Sequence, residues 1–219
     1  MKQGRIGILG GTFDPVHQGH LEVASSIRSQ LALDQVVFVP AYRPPHKKQR
    51  PQADAWHRFA MLVLATQGRE DLSVSTIELE TRRAAYTVDT IARLRKSWGD
   101  QTRLYFILGA DLFEEITSWR DYERLLTSCH FVVMTRPGYA LHADHLPARA
   151  RRRIVDLRLN REPEAVKDTG QYHVYLCDAV SSPISSTAIR DTLGANQPLE
   201  GALPPAVEDH IRKYRLYQN

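Results

Sequence analysis

The sequence predicts an α/β fold: a doubly wound, mostly parallel sheet with helices on both faces, in a single domain spanning residues 1–219. Two patterns carry that prediction. Short continuous apolar runs, at residues 5–9, 36–39, 104–108 and 131–134, read as strands buried on both faces. Between them lie segments whose apolar residues recur at helical spacing, and several of the runs stop at a glycine or proline turn. Such alternation implies right-handed crossovers and a ligand site at the carboxyl edge of the sheet.

Taken in order, residues 5–9 form the first strand and pass into Gly10-Gly11, after which Leu21, Ala24, Ile27 and Leu31 mark one face of a helix. Strand, glycine turn and helix N-terminus together make a phosphate site, since the turn admits a close anion and the helix offers unpaired N–H groups. The second strand, VVFV, ends at Pro40 and opens onto AYRPPHKKQRPQAD, with three prolines and five basic residues counting His46. This loop leaves the same sheet edge, so His46 and Lys47 are expected to reach phosphate, with Arg43 and Lys48 read equally as solvated.

Asp54 caps a helix over residues 55–66, and the alternation across residues 72–79 predicts a strand. Thr87 is expected to cap a helix buried along Val88, Ile91 and Leu94, with Tyr86 and Thr87 offering N–H groups to an anion. The run LYFIL leads into Gly109, Ala110 and Asp111 and a helix over residues 112–116. Asp111 suits either an N-cap or a ribose acceptor. Trp119, among polar neighbours, is read as partly exposed and able to stack.

After the FVVM strand comes Arg136-Pro137-Gly138, then Arg149 to Arg153 with four arginines in five positions. The flanking Ala148, Ile154, Val155 and Leu157 predict a helix with a solvated basic face, ahead of a polyanion site. Residues 172–176 are the last strand. In SSPISSTAIRDTL, Ser185 or Ser186 caps a further helix, and Arg190 follows one turn on. That is the outline of a triphosphate clamp, or equally of a well-capped helix with an exposed arginine. Residues 204–217 form an amphipathic C-terminal helix, so residues 183–219 are a small helical part.

Composition narrows the function. With 42% hydrophobic residues, a net charge of +4 and a pI near 9.1, the chain suits anionic metabolites as well as nucleic acid. No run approaches the ~20 apolar residues of a membrane span, and the first strand leaves no room for a signal peptide, so the cytoplasm is the expected compartment. Cys129 and Cys177 form no CxxC motif, and no resident metal is expected. His17 and His20 share an HxxH spacing, but Gln18 and Gly19 stand where a metalloprotease-type site needs a glutamate. GxGxxG, Walker and GxSxG motifs are missing. Many phosphate binders and few nucleophiles suit direct displacement at phosphorus.

GGTFDPVHQGH at residues 10–20 and ISSTAIR at residues 184–190 resemble the HxGH and SSTxxR-type signatures of the nucleotidyltransferase superfamily, a Rossmann-like fold. PPHK, AYTVDTI, GADLF, Trp119 and RPG make the chain similar, over nearly its whole length, to bacterial nicotinate-nucleotide adenylyltransferases. The resemblance implies that ATP and nicotinate mononucleotide give deamido-NAD and pyrophosphate by in-line attack on the α-phosphate, with Mg²⁺ assisting. It implies that His17, His20, Lys47 and Arg190 are catalytic and that Gly10, Gly11, Thr12, Gly109, Asp111, Ser186 and Thr187 complete the ATP site. His46, Lys47, Tyr86, Thr87 and Trp119 would then hold the second substrate.

One departure is local: Arg83, Ala84 and Ala85 stand where such relatives carry a Gly and then a Ser. A backbone N–H site still favours a carboxylate over an amide. The alternatives are an adenylyl- or cytidylyltransferase for another phosphate ester, or a nucleotide-sensing domain without turnover. Small-molecule substrates are the expected partners, without nucleic acid or membrane; a homo-oligomer is left open.

Overall fold

The computed structural model describes residues 4–43, 51–135, 143–158, 170–178 and 184–218. Its elements are β1 (Arg5–Gly11), α1 (Gln18–Gln30), β2 (Gln35–Pro40), α2 (Ala55–Ala65), β3 (Leu72–Val74), α3 (Thr87–Trp98), β4 (Arg103–Gly109) and α4 (Ala110–Glu114). There follow a 3-10 turn (Ile116–Ser118), α5 (Tyr122–Leu125), β5 (His130–Thr135), α6 (Ala148–Arg151), β6 (Ile154–Asp156), β7 (Val174–Asp178), α7 (Ser186–Gly194) and α8 (Pro205–Tyr214). The strands form one sheet in the order β3-β2-β1-β4-β5-β7-β6, with every described pairing parallel. The strand order reverses between β1 and β4, which places a crevice at their carboxyl ends.

The doubly wound arrangement follows from strand alternation. Leu9, Val36, Phe38, Tyr105, Ile107, Val132, Tyr175 and Cys177 point to one face and pack under α1, α2, α7 and α8. Their neighbours Ile8, Val37, Val39, Leu104, Phe106, Leu108, Phe131, Val133, Val174 and Leu176 meet α3, α4, α5 and α6 on the other face. A strand buried on both sides needs an apolar residue at every position, which is why the central strands read as unbroken runs. Each such side chain is worth roughly 1.5–3 kcal/mol.

The structure corrects the expectations at the edges of the sheet and at several helix ends. The predicted strand over residues 72–79 stops at Val74, and the amides of Leu79 and Glu80 fold back onto the Thr76 carbonyl. Ile77 and Leu79 are buried all the same, so the alternation reported burial and not extended backbone. The arginine-rich helix covers only Ala148–Arg151, and Ile154 and Val155 lie in edge strand β6, paired with β7. Arg149 and Arg151 face Glu123 and Asp144 at the surface, in keeping with the solvated reading. β7 begins two residues later than predicted, and the 112–116 helix becomes α4 plus a 3-10 turn. Tyr86 and not Thr87 is the N-cap of α3, and α8 ends at Tyr214.

At the opposite end of the sheet from the crevice, His130 is buried and stacked on Tyr105, ring centroids 4.6 Å apart. Burial, then the charges of His173, Arg103, Arg5 and Arg95, push its pKa from 6.5 to about 3. A histidine held neutral in the fold but free to ionise when unfolded contributes stability that is full above pH 6.5 and is lost as pH falls toward 3. The slope is at most about 1.4 kcal/mol per pH unit for this group. Tm is therefore expected to fall between pH 6.5 and pH 4, and less steeply in His130→Asn, whose side-chain oxygen can replace Nδ1 as acceptor for the His173 amide. Equal slopes in thermal melts of the two proteins would contradict this.

Candidate active site

The segment after β1 is held by an unusual set of bonds. Phe13 adopts a left-handed conformation (φ 52°), and its ring lies edge-on to His20 and Phe38 at 5.1 and 5.6 Å. A Cβ on Gly11 would come within 2.8 Å of the Phe13 ring, so that glycine is required for the turn to close. His17 then caps α1 with extended backbone (φ −145°, ψ 170°). Its N–H donates to His20 Nδ1 at 3.2 Å, and the two rings lie 3.7 Å apart. With Nδ1 of His20 accepting, a neutral His20 keeps its proton on Nε2.

His17 is 7% exposed, and burial lowers its pKa from 6.5 to about 4. At neutral pH it is therefore an uncharged imidazole, a hydrogen-bonding group more than a counter-charge. Its Nδ1 is buried with no hydrogen-bond partner among the described residues.

The crevice between β1 and β4 holds a cavity of about 340 Å³. Gly10, Gly11, Thr12 and His20 line one side, Gly109 and Trp119 the other, and Thr87 at the start of α3 faces them. Seven sequence-predicted residues thus meet in one place. Trp119 is partly buried, edge-on to Phe106 at 6.2 Å. Gly109 has an ordinary φ of −73°, and a Cβ placed on it would meet nothing within 4 Å. Neither backbone nor packing demands glycine there, so a side chain would project into open space.

Gly109→Val is accordingly expected to raise the KM for ATP by about tenfold or more, in line with losing roughly 1.4 kcal/mol of binding, with Tm unchanged. Steady-state kinetics beside a thermal melt check this, and an unchanged KM would contradict it.

Not every predicted residue joins the lining. Tyr86 is 38% exposed beneath the Arg120 guanidinium, 4.7 Å from its ring, and Asp111 is exposed in the first turn of α4. Neither lines the cavity, and nor do His17, Ser186, Thr187 and Arg190. His46, Lys47 and Arg136 lie outside the described residues. Sequence reading passed over Glu78, Leu112 and Met134, which line the cavity together with Ala85. Leu112 is 46% exposed, an apolar side chain beside the crevice that a helical pattern alone assigns to no face. Glu78 is the one carboxylate in the described lining; its Oε1 accepts from the Thr90 hydroxyl at 2.7 Å, and burial raises its pKa.

Helix α7 docks against the turn after β1. Ser185 is the N-cap and accepts from the Ala188 N–H at 3.1 Å. The Ser186 hydroxyl donates to the Pro15 carbonyl at 2.9 Å, and Arg190 donates from Nη1 to the Asp14 carbonyl at 2.8 Å and from Nη2 to the Thr187 hydroxyl at 3.3 Å. Arg190 Nε is buried without a partner among the described residues. An α7 N-terminus, an arginine and two histidines therefore converge on one turn, the arrangement that favours a polyanion.

Beneath them lies a side chain that the sequence reading did not single out. Arg58, 1% exposed, donates to the carbonyls of Thr12 (2.6 Å), Ala41 (2.7 Å), Tyr42 (3.1 Å) and Ala53 (3.2 Å). Burial lowers its pKa, opposed mainly by the nearby Asp14 carboxylate.

Comparison with known proteins identifies the family. A family model described as cytidylyltransferase-like matches residues 8–192. A Moorella thermoacetica protein described as a probable nicotinate-nucleotide adenylyltransferase is 41% identical over 217 residues, covering 99% of this chain and 93% of the relative. A Thermoanaerobacter protein of the same description is 41% identical over 214 residues, 98% and 94% of the two chains. Among solved structures, the nicotinic acid mononucleotide adenylyltransferase of Plasmodium falciparum, complexed with NaAD, superposes with a TM-score of 0.68 at 21% identity, covering 98% of this chain and 97% of that one, a likeness of fold.

Proposed function

The chain belongs to the cytidylyltransferase-like family and, within it, to the nicotinate-nucleotide adenylyltransferases, and on that premise we propose how its residues divide the work. The reaction joins ATP and nicotinate mononucleotide to deamido-NAD and pyrophosphate in NAD synthesis. A phosphate oxygen of the mononucleotide attacks the α-phosphorus of ATP; the bond from that phosphorus to the bridging oxygen breaks, and pyrophosphate leaves with the electron pair. Such a transfer needs positioning and charge stabilisation more than proton removal.

Gly10, Gly11 and Thr12 take the triphosphate close to the backbone, and His17 and His20 donate hydrogen bonds to its oxygens. Arg190 and Lys47 offset charge as it moves toward the leaving pyrophosphate, with His46 beside Lys47 on the mononucleotide. Gly109 leaves room for the adenosine, and Asp111 is the ribose acceptor. Thr87 and Tyr86 hold the pyridine carboxylate through N–H groups at the start of α3, and the Trp119 ring stacks on the pyridine. Ser186 and Thr187 complete the phosphate site on α7, where Ser186 also docks the helix on Pro15 and Thr187 accepts from Arg190.

A described lining with one carboxylate, Glu78, fits a divalent ion that arrives on the triphosphate better than one held by the protein alone. Bound there, Mg²⁺ would supply charge neutralisation to the triphosphate. We place the reaction in the cytoplasm; among the described residues no helix is long and apolar enough to cross a membrane.

The observation that supports this reading is a cavity at the β1/β4 crevice lined by Gly10, Gly11, Thr12, His20, Thr87, Gly109 and Trp119. Pyrophosphate release from ATP, measured separately with nicotinate and nicotinamide mononucleotides, tests it. Release is expected with both and at least tenfold faster with the acid. Equal rates would overturn the acid preference, and no release with either would overturn the function.

A further inference from the structure

Two bulky residues sit in left-handed backbone at opposite ends of the chain, Phe13 (φ 52°) and Tyr217 (φ 64°). This conformation costs an L-residue with a large side chain roughly 1–2 kcal/mol and persists only where the surroundings enforce it. Here the surroundings bring the chain back on itself after α8, where the Leu216 N–H bonds to the Ile211 carbonyl at 3.0 Å. The Tyr217 ring is then 9% exposed in the core, and its hydroxyl donates to Asp14 Oδ1 at 2.8 Å. Burial and the Asp14 carboxylate hold the phenol well above its ordinary pKa, so it stays a donor.

Asp14 follows Phe13 directly and is itself buried. Besides the tyrosine, its carboxylate accepts from the Gln52 N–H at 2.9 Å and the Ala53 N–H at 3.1 Å. Gln52 and Ala53 end the connection between β2 and α2, and Ala41 and Tyr42, which begin it, are bound by Arg58. The same guanidinium holds the Thr12 carbonyl. Both ends of the connection that carries His46 and Lys47 are therefore tied to the phosphate-binding turn, one by Arg58 and the other by Asp14. Arg190 closes the circle through the Asp14 carbonyl.

We propose that Tyr217 is a positioning residue for the adenylyl transfer, acting through Asp14 to fix the turn that holds the ATP phosphates against Gln52 and Ala53 at the entry to α2. The inference rests on the assignment of that turn to the reaction. It gives the tail beyond α8 a role in turnover, although no atom of Tyr217 need touch substrate. Without the hydroxyl, Asp14 keeps its two amide donors, one on each oxygen, but loses the bond that ties its carboxylate to the tail beyond α8.

Tyr217→Phe keeps the ring and its packing and removes one donor. The expected result is a kcat about tenfold lower, KM for both substrates within about twofold, and a Tm still well above the assay temperature. Asp14→Asn should show the same kcat loss, and the double variant should be no slower than Asp14→Asn alone. Hydrogen exchange at the Gln52 and Ala53 amides should quicken in Tyr217→Phe. A folded Tyr217→Phe with normal kcat overturns the proposal, as does a double variant whose losses multiply. If Tyr217→Phe does not fold, the kcat of Asp14→Asn decides. Should the unaltered protein release no pyrophosphate at all, it is the functional reading that fails, and unchanged amide exchange would separately remove the clamp.

Discussion

Replacing His17 with alanine is expected to lower kcat by about a hundredfold while the fold survives, the loss typical of one donor that stabilises charge at the reacting centre. The fold survives because the backbone half of the α1 cap, the N–H of residue 17 donating to His20 Nδ1, does not depend on the imidazole. The kcat falls because the imidazole is buried against His20, 3.7 Å away, with Nδ1 unpaired among the described residues. That ring is uncharged at neutral pH, since its pKa lies near 4. A limb near pH 6.5 in kcat/KM that vanishes in His17→Ala would therefore contradict the assignment, because kcat/KM reports the free enzyme. Steady-state rates and a thermal melt of the variant decide the main point. Full activity removes His17 from the reaction, and an unfolded variant makes its role structural.

Arg58→Met should be the most destabilising change at the site, by about 3–5 kcal/mol. Methionine fills much of the same space but offers no donor, leaving the carbonyls of Thr12, Ala41, Tyr42 and Ala53 without their present partner in a buried setting. At this chain length such a loss lowers Tm by about 10 °C. Activity should fall with it, since the Thr12 turn and both ends of the following connection lose their common anchor. A Tm within about 3 °C of the unaltered protein would show that the fork is not needed.

The centre of this molecule is written locally and its periphery is not. β1, β2, β4 and β5 are buried on both faces, so their residues form short apolar runs bounded by turns; a longer apolar run, residues 59–65, lies in α2 behind the Asp54 cap. The short edge strands β3 and β6 leave no such mark: each has three residues, and only one of the six is buried. The same contrast holds at the site. Gly10 to His20 and Ser185 to Arg190 could be picked out because each is a continuous stretch whose residue types suit a phosphate. The bonds that hold these stretches together join Arg58 to Thr12 across 46 residues and Tyr217 to Asp14 across 203. An arginine in an amphipathic helix and a tyrosine near its end look like ordinary surface residues until the chain is folded. Glu78 escaped for another reason, since its segment alternates like a strand but turns toward the cavity.

On the proposed division of work, this site positions two phosphates and forms no covalent bond with either. The two cysteines fit that claim, being buried with thiols pushed up to about 12. The most direct test is the stereochemical course of adenylyl transfer from ATP made chiral at the α-phosphorus by sulfur. One direct in-line attack predicts inversion at that phosphorus in the deamido-NAD product, and retention would contradict it by requiring an adenylylated enzyme between two displacements.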